Sequence, residues 1–153
     1  MKNASILLLC AMTACATTPK EPEKVLFLCP YGGAKSVIAA SWFNRMAGER
    51  ALPYVAVATA AEAPYDAVPE KVADALARDG FDVRNFQPRH VEAEQLRSAN
   101  KVISIDCDLT KLDANGATIE QWDDVPKVSV DLDGSIAAIK RHVEQLIAQL
   151  AAR

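Results

Sequence analysis

The apolar positions of this chain change period along its length. Residues 24–29, KVLFLC, form a continuous apolar run, the pattern of a strand buried on both faces. In 36–49 the spacing turns helical, with Ile38, Trp42, Phe43 and Met46 on one stripe. YVAVATA (54–60) reads as a second strand. VPEKVADALARDG (68–80) reads as a helix, with Pro69 near its start and Gly80 at its stop. Residues 91–100 predict another helix and KVISID (101–106) a third buried strand. The chain closes on a long amphipathic helix over 131–153, striped by Ile136, Ile139, Val143, Leu146, Ile147 and Leu150. Strands alternating with helices predict a parallel sheet covered on both faces. Such sheets take ligands at the carboxyl ends of their strands, which here means Cys29 and Asp106–Cys107. The helix stripes read as core.

The first residues break this pattern. MKNASILLLCAMTAC has one lysine, an apolar run too short to span a bilayer, and then small residues, so 1–14 reads as a signal peptide. MTAC resembles the lipobox of bacterial lipoproteins. That resemblance implies cleavage before Cys15, lipid on Cys15 and a place on the periplasmic face of a bacterial membrane, held there by acyl chains. The other reading is an ordinary secretory signal cut near the same point, with release to the periplasm. Residues 15–23 would then be the lipidated cysteine and an extended, charged and proline-bearing tether, and 24–153 one folded domain.

Composition narrows the functions. The chain has 153 residues, half of them apolar and 24% charged, with net charge −3, so nothing points to a nucleic-acid surface. No internal repeat or heptad run is visible. Of four cysteines, the leader would take Cys10 and lipid would take Cys15, leaving Cys29 and Cys107. His90 and His142 read as surface residues with no third ligand type beside them, so neither metal nor cofactor is implied.

The chemistry concentrates in CPYGGAKS, residues 29–36. A loop of small residues that leaves a strand and opens a helix presents backbone N–H groups inward and forms an anion site. The same field favours a thiolate at its rim, which could attack the central atom of a bound oxyanion. Gly32 and Gly33 permit unusual backbone angles and close approach of a ligand. Lys35 supplies positive charge, and Ser36 can donate a hydrogen bond to sulfur.

Cysteine, five residues, a cation and serine resembles the signature of the low-molecular-weight protein tyrosine phosphatases and the phosphatase-like arsenate reductases. VPEKVADALARDGFDV is similar to that family's second helix and following turn, and PRHVEAEQLRSANKVISID to its third helix and fourth strand, ending here in Asp106. WDDVP stands where the family's acid-bearing loop comes. The resemblance implies a three-layer α/β sandwich with a four-stranded parallel sheet in flavodoxin-like order. It implies Cys29 as nucleophile, a phosphate cradle of Pro30, Tyr31, Gly32, Gly33, Ala34 and Lys35, and Ser36 as stabiliser of the thiolate leaving group. Asp124 is the first candidate general acid and Asp123 the second; if VP is the anchor instead, Lys127 takes the acid position.

Three departures shape the expected function. The family arginine is Lys35, a point charge in place of a planar fork. The aspartates are shifted relative to Pro126. Cys107 is a candidate redox partner for Cys29, but no third cysteine follows to relay a disulfide. The leading expectation is a slow cysteine-dependent phosphomonoester hydrolase of the protein tyrosine phosphate type, working through a phosphocysteine on a phosphate-like oxyanion or phosphoprotein. The alternatives are a thiol-dependent arsenate reductase and a non-catalytic oxyanion or phosphoprotein binder.

Overall fold

The computed structural model describes residues 20–153. The segment read as a signal peptide, with the lipobox-like MTAC and Cys15, lies outside the described residues. Four parallel strands, β1 (Glu23–Cys29), β2 (Tyr54–Ala60), β3 (Lys101–Ile105) and β4 (Ile119–Trp122), form a sheet in the order β2-β1-β3-β4. The helices are α1 (Lys35–Glu49), α2 (Glu70–Arg78), α3 (Ala93–Ser98) and α4 (Leu132–Ala151). This is the parallel sheet flanked by helices that the alternation of periods predicted, in the flavodoxin-like order that the family resemblance implied. The segment 101–106, read as a third buried strand, is β3. The last strand, β4, has only Trp122 fully buried, too little apolar patterning to announce itself.

β1 is central, and its alternation splits the core into two layers. Val25 and Phe27 join the larger cluster under α1, α2 and α4, with Phe43, Leu76, Ile103, Ile139 and Trp122. Leu26 and Leu28 face the other way, against Leu96 of α3, Val91, Val102 and Cys107. Because β1 is buried on both sides, its register is fixed by both layers. Its carboxyl end, Cys29, is therefore a rigid point.

The turn after Cys29 is tied to β2. The carbonyls of Cys29, Pro30 and Tyr31 accept from the amides of Ala61, Glu62 and Tyr65 at 2.8–3.0 Å. Gly32 sits at φ +67°, where a Cβ would come within 2.8 Å of the Ala60 amide nitrogen. Gly32→Ala should therefore lower stability by about 1–3 kcal/mol in urea unfolding and weaken orthophosphate binding, since the strained turn and the cradle are one piece of backbone.

Candidate oxyanion site

With their carbonyls turned toward β2, the loop amides are left facing the other way. None of the amides from Tyr31 to Ser36 donates to a protein acceptor among the described residues. Successive free N–H groups at the start of a fifteen-residue helix with no side-chain cap form an anion cradle, assisted by the helix dipole. Cys29 lies beneath it, buried, with Sγ 3.1 Å from the hydroxyl of Ser36. A cleft of about 680 Å³ opens above, lined by Cys29, Pro30, Tyr31, Ala34 and Lys35 from the loop side. Gly32 and Gly33 belong to the turn and are themselves buried. At the mouth the rings of Tyr31 and Tyr65 stack with centroids 4.9 Å apart, each 43% exposed.

Lys35 is 5% exposed, and its ammonium donates to Asp106 Oδ2 at 3.0 Å and to the carbonyl of Val125 at 3.1 Å. Asp106 follows β3 at φ +59°, a conformation that few residues other than glycine, asparagine and aspartate take readily. The cation expected for the cradle is thus present in the cleft but already compensated by a carboxylate. Asp106→Asn keeps a residue tolerant of that backbone and removes the charge. It should lower stability by about 1–2 kcal/mol, between surface and buried ion-pair values because Asp106 is half exposed. It should also tighten orthophosphate binding roughly threefold to tenfold, because the freed ammonium turns to the anion. Thermal melts and calorimetry with phosphate check both.

The two candidate acids lie elsewhere. Asp124 accepts from His142 at 2.6 Å and lies 3.5 Å from Arg141, both on α4, and neither it nor Asp123 lines the cleft. The hydrogen bond from His142 holds the Asp124 carboxyl below its ordinary value, which suits an anion rather than a proton donor. His142 stacks on Trp122 at 4.7 Å, so this group fastens the segment after β4 to α4. That segment brings to the cleft the carbonyl of Val125, which meets Lys35, together with Lys127 and Val128.

Cys29 and Cys107 are both free thiols. Burial, with a further contribution from the charge of Cys29, pushes the Cys107 thiol from 9.0 up to about 11. Below pH 9.0 the thiol is protonated whether the chain is folded or not, and the shift changes nothing. Between 9.0 and about 11 only the unfolded thiol ionises, so stability falls; above that the loss is complete. Cys107→Ser should remove a loss of order 2 kcal/mol over this window, read from urea melts at pH 8 and 11 as a difference from the unaltered protein.

No protein-family profile matches the chain. A protein of Halobacterium salinarum described as "Putative arsenate reductase" is 29% identical over 112 residues, covering 72% of this chain and 75% of that one. Among solved structures, YfkJ from Bacillus subtilis superposes with a TM-score of 0.77 at 19% identity, over 88% of this chain and 98% of that one. A low-molecular-weight protein tyrosine phosphatase from T. tengcongensis gives 0.61 at 18% identity, over 84% and 95%. The fold is the parallel α/β sandwich shared by solved structures of arsenate reductases and of a low-molecular-weight protein tyrosine phosphatase. These likenesses support the family resemblance carried by residues 29–36, that of the low-molecular-weight protein tyrosine phosphatases and their arsenate reductase relatives.

Proposed function

We propose that the domain is a slow cysteine-dependent phosphomonoester hydrolase. The observation that carries this reading is the run of acceptor-free amides from Tyr31 to Ser36 over the Cys29–Ser36 pair. A phosphoryl group held by those amides presents phosphorus to Sγ. The Cys29 thiolate forms the S–P bond, and the ester P–O bond breaks with its electron pair on the departing oxygen. Water then attacks phosphorus, and the thiolate leaves with the Ser36 hydroxyl donating to it. Because the aspartates of the late segment do not line the cleft, leaving groups that are stable without protonation are favoured, and aryl phosphates come first. The compensated Lys35 keeps the rate low.

A second reading, arsenate reduction, is favoured by the free Cys107 thiol within electrostatic reach of Cys29. It requires Cys107 to attack as a thiolate, and the raised value leaves little thiolate at neutral pH. The discriminating experiment runs p-nitrophenyl phosphate hydrolysis beside arsenate-dependent consumption of an added dithiol. Hydrolysis that survives Cys107→Ser supports the phosphatase. Arsenate-dependent dithiol oxidation lost in Cys107→Ser supports the reductase, and phosphate binding with neither reaction supports a binder. The leader reading belongs to the same proposal: whole-protein mass after membrane extraction should show acyl chains on Cys15, and an unmodified Cys15 overturns the anchor.

A further inference from the structure

The cleft carries two cations that the cradle does not use, Lys71 and Lys127. Its charged lining is three lysines, Lys35, Lys71 and Lys127, against two carboxylates, Asp106 and Glu70, in a chain of net charge −3. Asp106 is committed to Lys35. Lys71, in the first turn of α2, and Lys127, after β4, are both exposed and take part in no ion pair among the described residues. Of the nearby carboxylates, Asp131 accepts from the amide of Gly134 and Asp74 pairs with Arg84, while Glu70 and Asp133 take part in no ion pair among the described residues and offset part of this charge. The two lysines come from different elements, 56 positions apart by number, yet open into the same cleft as Cys29. The Tyr31–Tyr65 stack and Val128 line the same cleft and offer an apolar seat for the organic part of a ligand.

We infer that Lys71 and Lys127 form a second anion subsite, and that the ligand of this cleft is a phosphomonoester whose organic part bears a further carboxylate or phosphate. The inference rests on the oxyanion cradle proposed above and specifies what that cradle is offered. Lys127, at the position where a general acid was sought, serves binding in place of proton transfer. A rim cation in contact with water contributes modestly and is screened by salt, so the preference is moderate and sensitive to ionic strength.

Binding rather than turnover tests it, with non-hydrolysable probes. Calorimetry on the full chain would compare 4-carboxybenzylphosphonate with its uncharged 4-carbamoyl counterpart, in low and high salt. The unaltered protein should prefer the carboxylate roughly threefold to tenfold at low salt, and less at high salt. In the doubly substituted Lys71→Gln, Lys127→Gln protein, with folding checked by its melting curve, that ratio should fall to near one. Equal affinities in the unaltered protein overturn the subsite while leaving the cradle intact, as does a preference that persists in the double variant. Failure of both phosphonates to bind overturns the cradle itself, and the subsite with it.

Discussion

Cys29→Ser is expected to reduce p-nitrophenyl phosphate turnover by at least about a thousandfold while orthophosphate still binds. The two outcomes separate because the two tasks rest on different atoms. Binding uses the amides of Tyr31 to Ser36, whose direction is set by the carbonyls of residues 29–31 bonding to the Ala61–Tyr65 segment. Those bonds do not involve sulfur. Attack on phosphorus uses Sγ, and a serine hydroxyl in its place has no base beside it: its neighbour is the Ser36 hydroxyl. Steady-state rates and phosphate calorimetry read the two effects independently. Turnover within tenfold of the unaltered protein would mean that another group is the nucleophile.

The second large effect is a gain. Lys35→Arg is expected to raise kcat/KM on the same substrate by about tenfold to a hundredfold. The lysine ammonium points at two acceptors, Asp106 Oδ2 and the Val125 carbonyl, so it is held in the cleft but turned toward the protein. A guanidinium has five donors on a planar fork. It can keep one arm on Asp106 and present the other to equatorial oxygens as charge develops there. p-Nitrophenolate leaves without protonation, so the missing acid does not mask the gain. A rate that falls or stays level would mean that the cation is structural and the cradle amides bear the transition state alone.

How much of this could be read from the sequence follows from separation along the chain. β1, β2, β3 and α4 were legible because their patterns are local and each buries an apolar run or stripe. The cradle was legible for the same reason: Cys29, the glycines and Ser36 lie within eight residues. β4 escaped because an edge strand with one fully buried side chain has almost no period. The partners of Lys35 escaped because Asp106 is 71 positions away and the Val125 carbonyl 90, and no spacing rule connects them. The sequence places Asp106 at the end of a strand on the ligand edge but does not show its ion pair. Asp124 read as an acid from its place in the chain; in the fold, His142, midway along α4, accounts for its carboxylate instead. Tyr65 carried no motif and Lys71 only its place in a helix, and it is the fold that brings them to the cleft of Cys29.

The most direct test of the central claim is the mass of the peptide bearing Cys29 after acid quench of a brief reaction with p-nitrophenyl phosphate. The expected result is the gain of one phosphoryl group on that peptide, absent in Cys29→Ser and lost on longer incubation as water completes the cycle. Release of p-nitrophenol with no phosphate ever found on Cys29, or phosphate found on a different residue, would contradict it.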